Sequence, residues 1–276
     1  MSRMTLQAAV AMGQLQQQLD NISNNIANSN TTGYKQRNAN FSSLLAQQFN
    51  TEPDPLNQAG RQTPEGFRLG AGSRLGHTNF QFSPGSLQTT DRNLDVALQE
   101  DHQFFQVRAV ENGQEEVQYT RAGNFYLSPV ADEQLMLVTA EGQPVLGANQ
   151  EPIVLANDMD DLKIEANGEI NVTRNSVQNV EGQLGVIAVD RPRLLEASGS
   201  NQFRLSEDTL ENYPIDEVIN EVAANQMNLQ NGALESSNVD IAKQTTDMLE
   251  SQRAYQFNAR TISMHDQMNG LINQLR

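Results

Sequence analysis

The side chains that could do chemistry in this chain of 276 residues lie far apart. Its three histidines, His77, His102 and His265, show no metal-ligand spacing between any two of them. The absence of cysteine removes thiolate nucleophiles, disulfides and Cys-ligated zinc together. Paired carboxylates for glycoside hydrolysis depend on three-dimensional geometry, so the sequence does not decide for or against them.

Two short motifs resemble ligand sites but lack a required feature. Asp158, Asp160 and Asp161 begin like a calcium loop, yet Lys163 stands where a loop of the EF-hand kind requires glycine. The glycine-rich stretch at residues 69–76 has the spacing G-x-G-x-x-x-G, and no strand or paired helix frames it. We therefore expect no metal, no cofactor and no enzymatic activity.

Composition restricts the classes of partner. Thirty-four acidic residues against eighteen basic ones argue against nucleic acid, whose phosphates require clustered Lys and Arg. No run approaches the roughly 18 apolar residues of a membrane span. The start of the chain has a single early Arg3 and no continuous apolar region, so neither a membrane span nor a cleavable secretory signal is expected.

The elements that could position functional residues are two helices at the ends of the chain. In residues 234–276 two apolar series repeat every seven residues, which is typical of a helix that packs along a narrow seam. N-cap residue types at 236–238 and Asp240 favour a helix start there, and without proline the helix could extend about 50 Å. The first series is Ile241, Met248, Tyr255 and Ile262; the second is Phe257, Met264 and Leu271, with Met268 and Leu275 in the gaps.

A second helix is predicted from about Met4 to Asn28. Its apolar residues are again spaced by four and three: Ala8, Met12, Leu15, Leu19, Ile22 and Ile26. Two amphipathic helices of one globular core would show the same pattern. Because both seams lie at the chain ends, which are usually the loosest part of a protein, we predict a coiled-coil-like pair that also contacts neighbouring copies.

Between the helices the pattern changes to a period of two with frequent turns, which predicts an all-β module of about nine strands, a sandwich or distorted barrel. Asn167-Gly168 is its strongest hairpin turn. The predicted fold class is α+β. Its expected parts are 1–49, with a short helical piece at 41–49; an extended loop or hairpin at 50–77; the β module at 78–213; and a linker with the C-terminal helix at 214–276.

Several stretches resemble the bacterial flagellar basal-body rod and hook proteins. At the N-terminus the resemblance is carried by Ala27, Asn28, Asn30, Thr31, Gly33, Tyr34 and Lys35. Near the C-terminus it is carried by Leu234, Glu235, Ser237, Asn238, Val239, Asp240, Gln252, Arg253 and Ala254. Stretches inside the β module, among them Tyr119–Phe125 and Gly199–Phe203, follow the order of that family.

The resemblance implies a structural subunit of the flagellar rod, most like the distal rod type. It implies polymerisation through the terminal helices, partners among copies of itself and other flagellar axial proteins, and delivery by the flagellar type III export apparatus without a cleaved signal. A hook-type axial protein is the nearest alternative. A secreted wall-acting enzyme or adhesin with oligomerising ends is the alternative from another class.

Overall fold

The computed structural model describes residues 3–43, 46–49, 67–70, 73–111, 113–131 and 134–274. Three α-helices lie in these ranges: α1 (Arg3–Ala27), α2 (Glu207–Asn212) and α3 (Ile241–Gln274). The strands of the first half are β1 (Arg37–Ser43), β2 (Ala46–Phe49), β3 (Phe67–Gly70), β4 (Ser73–Phe80), β5 (Leu87–Thr89), β6 (Val96–Leu98), β7 (Gln103–Glu111), β8 (Gln114–Thr120), β9 (Tyr126–Ala131) and β10 (Gln134–Val138). Those of the second half are β11 (Val154–Ala156), β12 (Asp161–Ile164), β13 (Glu169–Arg174), β14 (Val177–Gln183), β15 (Val186–Val189), β16 (Leu195–Gly199), β17 (Gln202–Leu205), β18 (Ile219–Glu221), β19 (Leu229–Asn231) and β20 (Ala233–Glu235).

The chain forms two compact units that are not contiguous in sequence. The helical unit contains the described parts of residues 1–26, 37–79 and 241–276, and the β unit contains residues 27–36 and the described parts of 80–240. A mostly β chain with a long helix at each end agrees with the predicted α+β class.

The terminal helices belong to the same unit. α1 matches its predicted bounds to within one residue at each end. α3 begins at Ile241, so the helix start predicted from the N-cap residue types at 236–238 lies too early in the chain. Residues 233–235 instead form β20, which pairs antiparallel with β5.

The remainder of the helical unit consists of short strands. β1 pairs with β4, and β2 pairs antiparallel with β3. The helical piece predicted at 41–49 is therefore wrong, since β1 and β2 occupy its described residues. Of the loop or hairpin predicted at 50–77, residues 50–66, 71 and 72 lie outside the described residues.

The β unit is built around a six-stranded sheet in the order β16-β17-β8-β7-β15-β18. Two three-stranded sheets, β11-β10-β9 and β12-β13-β14, accompany it. The predicted hairpin turn is confirmed: it joins β12 to β13, with Gly168 at a φ of +82° and Ile164 opposite Ile170. All nine predicted strands overlap strands of the structure, but the count was too low because it omitted β5, β14 and the strands from β16 onward.

The six-stranded sheet is covered by apolar side chains on both faces. Phe105 of β7 packs in one buried cluster with Val107 and Phe125, whereas the adjacent Phe104 packs in a second cluster with Phe82 and Phe203. Successive side chains of a strand point to opposite faces, so two neighbouring phenylalanines can both be fully buried. This core supports the part of the β unit that contains Lys35, Arg121 and Glu235.

Candidate functional site

Three charged side chains meet in the interior of the β unit. The Glu235 carboxylate lies between two cations: Lys35 Nζ is 2.7 Å from Oε1, and Arg121 Nε is 2.7 Å from Oε2. Each of the three residues is only 1% exposed. The ion cluster formed by Lys35, Arg121 and Glu235 thus joins the two stretches that resemble the flagellar family, which are 200 residues apart along the chain.

The backbone around the cluster brings these side chains together. Gly33 has a φ of +66°, and a Cβ on it would lie 2.6 Å from the Arg121 carbonyl carbon. Its N–H donates to the Glu235 carbonyl oxygen at 2.7 Å. A left-handed conformation and this close approach both require glycine. The glycine of the N-terminal motif therefore helps to place Lys35 against Glu235.

Neutral groups satisfy the remaining hydrogen bonds of the cluster. The Gly85 N–H donates to Glu235 Oε1 at 2.8 Å, and Lys35 Nζ donates to the Ser83 carbonyl oxygen at 2.9 Å. Arg121 donates further hydrogen bonds to the carbonyl oxygens of Glu100 (2.8 Å), Gln103 (3.0 Å) and Leu98 (3.3 Å). Buried charges are tolerated only when they are paired and hydrogen-bonded in this way.

The surroundings shift the pKa values of two cluster members. Burial, the largest effect, and the neighbouring Arg121 charge lower the pKa of Lys35 to about 8. Burial alone would raise the pKa of Glu235, but the charges and hydrogen bonds of Arg121 and Lys35 outweigh it and hold that pKa below its ordinary value of 4.5. Burial thus dominates the shift of Lys35, whereas the two neighbouring cations dominate that of Glu235.

The lowered pKa of Glu235 predicts a loss of stability in acid. The folded state binds a proton at Glu235 less readily than the unfolded state, so the stabilisation is complete above about pH 4.5 and is lost as the pH falls through the folded pKa. We expect Lys35→Met, which removes one of the two cations, to reduce this loss. Urea unfolding followed by circular dichroism at pH 6 and pH 3.5 should give a decrease about 1 kcal/mol smaller in the variant. Equal decreases in both proteins would contradict the assignment.

Asn238 makes a second link between the two motifs. Its Oδ1 accepts from the Gln36 N–H at 2.8 Å, and its Nδ2 donates to the carbonyl oxygens of Gln81 (2.7 Å) and Ser83 (3.0 Å). Asn238 was predicted to be a helix-cap residue. Its side chain instead joins segments that are far apart in sequence.

The other motif residues are buried, half-buried or exposed. Tyr34 is buried, and Asn28 and Thr31 bond to each other in the turn that follows α1. Half-buried positions are Thr31, Leu234, Ser237, Val239 and Ala254. Exposed positions are Ala27, Asn30, Asp240, Gln252 and Arg253.

Sequence reasoning gave no role to Arg121, Ser83 or Gly85. Arg121 lies inside the Tyr119–Phe125 stretch that resembles the family. Apart from that resemblance, the one feature of the sequence that could have drawn attention to Arg121 was its position as a charged residue between small and aromatic residues, near the end of a predicted strand.

The predicted apolar series of α3 lie on different faces of that helix. Met248, Tyr255 and Ile262 are half-buried, and the buried or half-buried Gln244, Ser251, Asn258 and His265 alternate with them at spacings of four and three. We call these seven positions the inner face. In α1 the seam residues are buried or half-buried: Met12, Leu15, Leu19, Ile22 and Ile26.

The second series is exposed. Phe257, Met264, Met268 and Leu271 are 54–70% exposed, and Ile241 at the start of the helix is 51% exposed. Because two residues correspond to about 200° around a helix, Phe257 points away from the side that carries Tyr255. We call Phe257, Met264, Met268 and Leu271 the outer stripe. In the described part of the chain no other residues cover it.

The described residues contain no group of three His, Asp or Glu side chains that could hold a metal ion. None of the described helices is long and apolar enough to cross a membrane. A β-rich unit with heptad-patterned helices at both chain ends, and a charged cluster closed by its own partners, define the class of a structural subunit.

Comparison with known proteins identifies the family. The chain matches "Flagella basal body rod protein" over residues 6–35, "Flagellar hook protein FlgE/F/G D1 domain" over 100–172 and "Flagellar basal body rod FlgEFG protein C-terminal" over 230–275. It is 42% identical to the flagellar hook-basal body complex protein FlhP of Bacillus subtilis, with the whole of both chains covered. It is 30% identical to the flagellar basal-body rod protein FlgG of the same organism, over 96% of each chain, and 31% identical to that of Borreliella burgdorferi, over 100% of this chain and 99% of the relative. The chain belongs to the flagellar basal-body rod and hook protein family.

Proposed function

We propose that this chain is a structural subunit of the flagellar rod that polymerises through its terminal helices and transmits torque from motor to hook. The observation that carries the proposal is the outer stripe of α3, four large apolar side chains exposed on a helix whose opposite side carries the inner face. Exposed contiguous apolar surface of this kind marks interaction sites. Full-length similarity to rod proteins supports the same assignment.

The proposed contact is coiled-coil-like. In the outer stripe, intervals of seven, four and three residues separate Phe257, Met264, Met268 and Leu271, which is the spacing by which one helix packs against another. Burying the exposed part of each side chain in a neighbour would contribute on the order of 1 kcal/mol. Repetition of a modest heterologous contact along an open helical array would give a rigid tube.

The exposed family residues fit this arrangement. Gln252 and Arg253 lie on the surface of α3, and other residues of the helical unit do not bury them. The chain carries a net charge of −16, so an arginine at a subunit boundary would find acidic partners on a neighbouring copy. We propose other axial proteins of the flagellum as further partners, in addition to copies of this chain.

We further propose delivery by the flagellar type III export apparatus without cleavage, because residues 6–35, which contain most of α1, match the rod-protein family and would be needed in the assembled subunit. Protein recovered from basal bodies should therefore retain its N-terminus, apart from the initiator Met. An N-terminal sequence that begins at or beyond Gln14 would contradict this proposal.

A deletion strain tests the assignment to the rod. The strain should be non-motile and should lack complete rods in isolated basal bodies, and the wild-type gene should restore both. Normal basal bodies in the deletion strain would exclude an essential structural role.

A further inference from the structure

The inner face of α3 contains a buried polar contact with α1. Asn25 and Gln244 are 1% and 3% exposed, and Asn25 Nδ2 donates to Gln244 Oε1 at 3.2 Å. The contact joins the last turns of α1 to the first turn of α3. Two carboxamides thus lie at positions where a helix pair optimised for stability alone would carry leucine or isoleucine.

Asn25 is held in place by a second set of bonds. Its Oδ1 accepts from the Arg37 N–H at 2.9 Å, and its Nδ2 also donates to the Arg37 carbonyl oxygen at 2.9 Å. The side chain therefore bonds the first residue of β1 as a neighbouring strand would. A carboxamide fixed in this way can offer Nδ2 to only one position on the partner helix.

The polar character continues along α3. Gln244, Ser251, Asn258 and His265 recur every seven residues on the inner face, alternating with Met248, Tyr255 and Ile262. Four of the seven inner-face positions are thus polar, whereas the outer stripe is apolar. A buried carboxamide left unpaired costs about 1–3 kcal/mol, so a polar position penalises wrong pairings more than it favours the right one.

We propose that the Asn25–Gln244 pair sets the register of the α1–α3 pair and excludes pairing of two α3 helices through their inner faces. Any helix that brings an apolar residue against Gln244 leaves the Gln244 carboxamide buried without its Asn25 partner, whereas Asn25 keeps its two bonds to Arg37. The inner face therefore contacts α1 of the same chain, and the outer stripe remains available to contact another copy. This inference rests on the proposed function, because it assigns the two sides of α3 to different contacts in the assembly.

The test uses the full chain with Asn25→Leu and Gln244→Leu combined, each single change, and a control that combines Gln17→Leu with Gln256→Leu. The control changes two exposed glutamines on the same helices. Hydrogen exchange in α1 and α3, sedimentation of the purified protein, and complementation of the deletion strain are measured for each variant.

We expect the double variant to form oligomers that wild type does not form and to assemble at least tenfold fewer rods. Asn25→Leu should speed exchange, because it removes the bonds to Arg37 and takes away the partner of Gln244, whereas Gln244→Leu should have a smaller effect, because Asn25 keeps its bonds to Arg37. A double variant that stays monomeric and assembles like wild type would overturn the inference. Failure of the wild-type gene to restore rods would instead count against the proposed function.

Discussion

Replacement of Glu235 by alanine should unfold the β unit or leave it barely stable. The change removes the only carboxylate from the ion cluster and leaves Lys35 and Arg121 buried side by side without an anion. Breaking a buried ion pair by removing one partner costs about 3–5 kcal/mol. That loss is a large part of the 5–15 kcal/mol typical of a folded domain. Urea unfolding followed by circular dichroism at pH 7 would measure it.

Two further variants separate the ion cluster from a general effect of charge removal. Lys35→Met should be milder than Glu235→Ala, because Glu235 then keeps Arg121 as its partner. Glu165→Ala removes a half-exposed carboxylate 3.1 Å from Lys163, and surface pairs of this kind contribute about 0–1 kcal/mol. A Glu235→Ala protein as stable as the Glu165→Ala protein would show that the ion cluster does not hold the two motifs together.

Aspartate at three consecutive positions of α3 should give three different results. At Phe257 it should abolish rod assembly and leave the monomer folded, because the outer stripe has no role within one chain. At Tyr255 it should disturb both the helical unit and assembly, because this inner-face residue is half-buried and a carboxylate there would lose several kcal/mol of hydration. At Gln256, which is exposed, it should be tolerated.

Motility, basal-body preparations and circular dichroism of purified monomers distinguish these three outcomes. Each variant adds one negative charge within a stretch of three residues, so net charge and helix position are matched. A Phe257→Asp strain that swims normally would remove the outer stripe as an assembly surface. Normal motility with Tyr255→Asp would likewise show that the inner face is not needed for assembly.

The sequence predicted the elements whose pattern is local. The heptad spacing of α1 and the Asn-Gly turn between β12 and β13 are properties of neighbouring residues, and both were located correctly. The start of α3 was misplaced because Ser237 and Asn238 have helix-cap chemistry. Asn238 instead forms hydrogen bonds with Gln36 and Gln81, and no local pattern reveals partners so far along the chain.

The ion cluster could not be predicted for the same reason. Glu235 is 114 residues from Arg121 and 200 from Lys35, and nothing in the spacing of the three indicates that they meet. The two faces of α3 could have been predicted from the sequence. Tyr255 and Phe257 are two residues apart, and that offset alone places their series on opposite sides of a helix.

Photo-crosslinking from a single position in the assembled rod would test most directly whether the outer stripe of α3 contacts another subunit. A photoreactive phenylalanine analogue would replace Met264, and mass spectrometry would identify the peptide that it captures. We predict capture of a helix from a second copy or another axial protein in basal bodies, and no intermolecular product from the purified monomer. Capture of the same chain's α1, or no intermolecular product in the assembled rod, would contradict it.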